Sequence, residues 1–287
     1  MQDLVTLPEV LPPGAEAVPL TFEEFYRDDD YDRARKPLDP AAVSRLRLVP
    51  LNVDQYHRMA EEGILPEGAP IELLNGILFW KDRREWRGKP LPTELVALTT
   101  DQYHRMIDAG ILPDSAPIEL LDGLLVFKDR GGVGEDPMTI GRRHDLVVSL
   151  LAELDMRLRP LGCYMKTQGP VLIEPQYEPE PDGAVRRGSP RDYVDRRPGP
   201  QDVYSVIEVS ETSLGNDRTD KLAVYAQPGI PQYVIINLVD MQIEVCEEPV
   251  AGERRYARTT VYKAGRSFAL AAGAGRSIEV PVAELLP

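Results

Sequence analysis

Three residues in the C-terminal half combine types and spacing suited to phosphate-ester chemistry. Asp182 follows a proline at the start of PDGAVRR (181–187), and Glu208 lies near the end of the next apolar run, DVYSVIEVS (202–210), between Ile207 and Val209. A charged glutamate in such a run is costly to bury unless it is paired or coordinates a metal. Thirteen residues further on, Lys221 sits in the first turns of DRTDKLAVYAQPG (217–229), a helix whose apolar face, Leu222 and Tyr225, must pack back on the strands. Two carboxylates on adjacent strands with one ammonium can hold Mg²⁺ or Mn²⁺ and a water against a phosphodiester. The acids supply hard oxygen ligands, with the carbonyl of Val209 as a third, and the lysine orients the water and offsets transition-state charge.

The elements that would position these groups follow an α/β pattern. RRHDLVVSLLAELDMRLRPLG (142–162) carries Leu146, Leu150, Leu154 and Leu158 at i+4 spacing and stops at Pro160 and Gly162, which predicts one long amphipathic helix. CYMKTQ and PVLIEP precede the Asp182 stretch, and the Val- and Ile-rich run through Glu208 reads as a buried strand. QYVIINL and QIEVCEE add two strands, and apolar segments RSFAL and SIEVPVAELL end the chain.

Ahead of this body the chain repeats itself. Shifted by 47 residues, LNVDQYHRMAEEGILPEGAPIELLNGILFWKDR (51–83) overlies LTTDQYHRMIDAGILPDSAPIELLDGLLVFKDR (98–130) with about two-thirds identity, and PLTFEEFYRD (19–28) is a worn echo. Each copy predicts a helix capped by Asn52 or Thr99, a proline-containing loop, and a hairpin turning on Asn-Gly or Asp-Gly. A solenoid would need more copies, so a duplicated module in front of a different body is the better account. His57 and His104 each stand without a second ligand at i+3 or i+4 and read as ordinary helix residues. Glu72 and Glu119 interrupt apolar strands, either as solvent-facing acids or as carboxylates aimed at a site.

Composition narrows the classes. The 287 residues are 43 % hydrophobic, enough for one large domain with an appendage or two small ones. No 18-residue apolar run and no leader pattern suggests a membrane segment. The two cysteines, Cys163 and Cys246, lie in apolar stretches rather than a CxxC pair, which fits buried thiols in a reducing, cytoplasmic setting. A net charge of −14 excludes a protein that grips phosphate backbones with its whole surface. The dense basic cluster Arg186, Arg187, Arg191, Arg196 and Arg197 is the local exception; it is read either as a DNA grip, centred on Arg186, Arg187 and Arg191, or as a solvated loop.

LTTDQYHRM, IELLDGLLV, EPEPDGAVRRG, VIEVSETSL, the DRTDKLAVYA helix and GIPQYVIINLVDMQIEV, taken in order, resemble the Uma-two-like endonuclease group of the PD-(D/E)xK superfamily. The resemblance implies a restriction-endonuclease-like α/β core, a mixed central sheet flanked by helices, here preceded by the duplicated helix–hairpin module. Two domains follow, an extension at 1–90 and a nuclease domain at 97–287. It implies Asp182, Glu208 and Lys221 as the catalytic set, with Glu119, His144 and Arg218 as accessories. Ser210 stands where the superfamily motif has its lysine, so Lys221 would be a lysine displaced onto the next helix. The implied activity is metal-dependent hydrolysis of DNA by a homodimer; the alternative is a non-catalytic binding or assembly protein on the same scaffold. The extra repeat copy keeps its apolar face, which must be buried on its own chain or on a second subunit.

Overall fold

The computed structural model describes residues 35–37 (backbone only), 47–66, 68–80, 94–114, 116–128 and 141–287. The echo at 19–28 lies outside them. The chain forms two compact units, Met1–Phe127 with Glu174–Tyr177, and Lys128–Ile173 with Glu178–Pro287. This division differs from the expected one at 1–90 and 97–287, because both copies of the repeat, the second as far as Phe127, fall in one unit.

In the first unit, in chain order, stand β1 (Arg35–Pro37), α1 (Val53–Glu61), β2 (Ile71–Leu74), β3 (Ile77–Trp80), β4 (Glu94–Val96), α2 (Thr100–Asp108), β5 (Ile118–Leu121) and β6 (Leu124–Phe127). Asn52 caps α1 with a capping box through Gln55, and Thr99 caps α2 with the same box through Gln102. The hairpin turns put Asn75 and Gly76 at φ 50° and 82°, and Asp122 and Gly123 at 53° and 75°. This doubly left-handed turn is what Asn-Gly and Asp-Gly favour. At Gly123 a Cβ would lie 2.6 Å from that of Ala97, so the close approach of the preceding chain also requires glycine.

The two copies pack reciprocally. Gln55 Nε2 donates to the Ile111 carbonyl and Gln102 Nε2 to that of Ile64, both at 2.8 Å. Arg58 donates to the carbonyls of Ala109 and Gly110, and Arg105 to that of Glu62. Leu95, ahead of the second copy, pairs with Phe79 in the hairpin of the first. Leu48, ahead of the first copy, pairs with Val126 in the hairpin of the second. Apart from the Arg58–Gly110 bond, each of these contacts has its counterpart under the 47-residue shift, the signature of a two-fold, self-complementary interface. Met59, Ile64 and Leu65 share one core with Met106, Ile111 and Leu112. The apolar face of the extra copy is thus covered within its own chain, which removes the reason for expecting a second subunit there.

The second unit begins with α3 (Arg142–Glu153) and α4 (Asp155–Leu158). The expected continuous helix is interrupted at Leu154, and the Asp155 side chain accepts the Met165 N–H at 2.9 Å. The buried stripe is Val147, Leu151, Leu154 and Leu158; Leu146, assigned to it from spacing, is 44 % exposed. There follow β7 (Cys163–Thr167), β8 (Gly183–Arg187), β9 (Val203–Ser210), α5 (Leu214–Asn216), a π turn (Asp217–Lys221), α6 (Leu222–Ala226), β10 (Gln232–Asn237), β11 (Gln242–Val250), β12 (Arg255–Lys263), β13 (Ser267–Ala271) and β14 (Ser277–Pro281).

Six of these strands form a mixed sheet in the order β12-β11-β10-β9-β8-β7, in which only β9 and β10 are parallel. A parallel pair needs a crossover, and the helical stretch from Leu214 to Ala226 supplies it. Alternation along β9 sends Ile207 and Val209 into the core with Leu151, Val234 and Phe268, and turns Glu208 to the other face.

Candidate active site

Asp182 stands one residue before β8. Gly183 pairs with Ile207, so the antiparallel register sets Asp182 beside Glu208 on the neighbouring strand. The backbone ladder has ended there, and the Asp182 carboxylate takes over as acceptor: Oδ2 receives the Val209 N–H at 2.9 Å. The same oxygen lies 3.1 Å from His144 Nε2, in the first turn of α3. A Cβ at Gly183 would fall 3.2 Å from Leu151 Cδ1, so the glycine lets α3, and with it His144, lie close to the sheet. Oδ1 has no hydrogen bond among the described residues; 3.4 Å away is Lys128 Nζ, itself 3.7 Å from Glu180 Oε1.

Glu208 is held from the crossover. Its Oε1 accepts from Lys221 Nζ at 3.1 Å and from the Tyr225 hydroxyl at 2.8 Å. Lys221 and Tyr225 are four apart, on one helical face. The π turn that ends at Lys221 sets where that face points, a local widening common at functional sites. Across the sheet Glu208 pairs with Ile235, which pairs with Glu244, so two glutamates share a row. Arg218, three residues before Lys221, makes a bidentate pair with Glu244 at 2.5 and 3.0 Å. It is therefore committed to β11, three strands away from β8 and Asp182, and is not paired with Glu208.

The charges on these groups are set by their neighbours. Burial pushes the Asp182 carboxyl up, but the Lys128 ammonium, then the hydrogen bond and charge of His144, then Lys221, outweigh it and hold Asp182 well below the usual carboxylate range. Asp217 goes the other way. Burial raises it, Lys221 and the hydroxyls of Ser210 and Ser213 oppose that, and Asp182 adds to it. Both hydroxyls donate to Asp217 Oδ2 at 2.5 Å. Ser210, in the place of the superfamily lysine, thus anchors the start of the crossover that carries Lys221.

Of the remaining expected residues, Glu119 is buried in β5 of the first unit, paired in register with Val126. Arg186 is also buried and donates to the carbonyls of Gly169 and Pro170 at 2.7 Å each, so its guanidinium faces inward. Arg187 and Arg191 are exposed, Arg187 5.6 Å from the Tyr204 ring. Arg196 pairs with Asp202, and Arg197 with Glu178. His57 is exposed on α1, and Cys163 and Cys246 are free, buried thiols. Sequence reasoning missed Lys128, which directly follows an apolar hairpin strand and carries no spacing signal. It gave Tyr225 only a packing role, although the i+4 relation to Lys221 was there to be read.

The family model Uma2, described as "Putative restriction endonuclease", matches residues 100–283, well over half of the chain, and the protein belongs to this family. The match spans both compact units and includes Asp182, Glu208 and Lys221. Among solved structures, the chain is similar to one described as "a putative nuclease belonging to DUF820 from Anabaena variabilis ATCC 29413". That similarity has 13 % identity and a TM-score of 0.48, and covers 66 % of this chain and 97 % of the other. No curated protein matches the sequence. No helix among the described residues is long and apolar enough to cross a membrane.

Proposed function

We propose that this protein is a metal-dependent endonuclease that hydrolyses phosphodiester bonds of DNA, with Asp182, Glu208 and Lys221 at its centre. The observation that carries the reading is two buried carboxylates on neighbouring strands, each facing its own lysine. The donor chemistry suits a hard cation: Asp182 Oδ1 is a buried oxygen without a hydrogen-bond donor among the described residues. Mg²⁺ commonly takes one or two carboxylates and keeps several waters, so no larger cluster is required. Asp182 and Glu208 would hold it. In an extended strand a residue's N–H and C=O point the same way, so the Val209 carbonyl faces the Asp182 side and is available too. When bound, the ion lowers the pKa of water and neutralises charge developing on the phosphoryl oxygens.

The chain's own residues do the rest. His144 and the Val209 amide fix one Asp182 oxygen and leave the other open. Lys221, steadied on Glu208 beside Tyr225, orients the water and faces the charge of the transition state. Water adds to phosphorus, one P–O ester bond breaks, and the products are a phosphate monoester and an alcohol. Arg187 and Arg191 supply exposed positive charge for the DNA backbone.

Supercoiled plasmid incubated with the protein and Mg²⁺ or Mn²⁺ tests this. Nicking that disappears with EDTA, and falls by about 10²–10³-fold or more in Asp182→Asn and Glu208→Gln, is expected. Intact plasmid under every metal condition would favour the second reading, a non-catalytic binding or assembly protein. That reading draws support from the same lysines, which already neutralise both acids, and from the net charge of −14.

A further inference from the structure

We propose that Lys128 is a tethered cation occupying the metal's side of Asp182, so that a divalent ion binds only as the ammonium is displaced. The inference rests on the metal-dependent reading above and concerns a residue outside its catalytic set. Lys128 Nζ is 3.4 Å from Asp182 Oδ1 and 3.7 Å from Glu180 Oε1, and Lys128 is 1 % exposed. Neither Nζ nor Oδ1 makes a hydrogen bond among the described residues, although both are buried. Lys221 differs: its ammonium donates to Glu208 at 3.1 Å. Among the described residues Lys128 Nζ is thus held by ion pairs and makes no hydrogen bond.

Asp182 offers a metal one oxygen, because Oδ2 already serves His144 and the Val209 amide. A divalent ion bound to Oδ1 would sit about 2.1 Å from it, within a few ångströms of an ammonium on the same oxygen. Like charges that close repel strongly where water is scarce. The ammonium and the ion are thus alternatives at Oδ1. Displacement has a natural destination: three open N–H donors on a flexible stem suit a phosphoryl oxygen of the substrate. Metal and DNA should then assist each other's binding.

Calorimetric titration of Mn²⁺ into the full chain, without DNA, decides the matter. Lys128→Met and Lys128→Gln should bind Mn²⁺ at least about fivefold more tightly than the wild type, the lower end of usual coupling between sites. Lys128→Arg should stay near the wild type, and Asp182→Asn added to Lys128→Met should abolish the gain. Equal or weaker affinity in both neutral variants overturns the inference while leaving the metal-dependent reading intact. Absence of Mn²⁺ binding in every form overturns both. If the neutral variants are unstable, because Asp182 has lost its buried counter-charge, melting with and without Mn²⁺ replaces the titration. Rescue by the ion supports the inference, and no rescue overturns it.

Discussion

The two compact units bury their contents by different means. In the first, the buried side chains are largely apolar and come in pairs related by the repeat: Met59 with Met106, Leu65 with Leu112, Ile71 with Ile118, Leu78 with Leu125. In the second, an apolar layer made by α3, the sheet and the β13–β14 hairpin lies beside buried ions, Asp182 with Lys128 and Glu208 with Lys221. Apolar cores accept many sequences of the right volume. A buried ion pair accepts the loss of both members far better than the loss of one. Substitutions should therefore act symmetrically in the first unit and one-sidedly in the second.

The largest expected effect is at Lys221. Lys221→Met should lower stability by about 3–5 kcal/mol by stranding Glu208, and adding Glu208→Gln should recover much of the loss, as read by urea denaturation. A double variant no more stable than the single one would mean that Tyr225 and the surrounding contacts, not charge, hold this pair. Next, Met59→Ala and Met106→Ala should each cost about 2–5 kcal/mol, with matching values, since both side chains are fully buried in equivalent places. A clear mismatch would show that the copies are alike in fold but not in load.

The pH dependence sharpens the contrast within the second unit. Asp182 titrates below an unfolded aspartate, so its contribution is present above about pH 4 and is lost as pH falls toward the folded value. Asp217 is raised, so what it contributes is complete below about pH 4 and is lost as pH rises through its folded value. In Asp217→Asn, the melting temperature relative to wild type should therefore climb as pH increases from about 4. A constant offset would mean that the serine hydrogen bonds, not the proton, matter. The smallest effects are at the caps: Asn52→Ala and Thr99→Ala should each cost about 1 kcal/mol and be nearly interchangeable.

Local signals made much of this legible. Asn-Gly and Asp-Gly announced the hairpins, Asn52 and Thr99 the helix starts, and the β-branched run through Glu208 a buried strand. Asp182, Glu208 and Lys221 stood out because charge in an apolar setting demands a partner. The reciprocal pairing of the copies was not legible, since one sequence suits pairing with its twin or with another chain equally well. The break at Leu154 escaped because i+4 leucines look alike whether or not they face the core. Arg186 read as surface from its basic neighbours, yet β8 turns it toward Gly169 and Pro170, a consequence of strand parity that no local signal carries. Strand β12 was missed, its side chains mostly exposed and its composition polar.

Because both halves of the repeat interface are joined by one chain, their pairing is an intramolecular event governed by effective concentration rather than by how much protein is present. The reciprocal contacts through Gln55, Gln102, Arg58 and Arg105 should consequently survive any dilution. A dimer of single-copy chains built on the same contacts would fall apart once its concentration dropped below its dissociation constant.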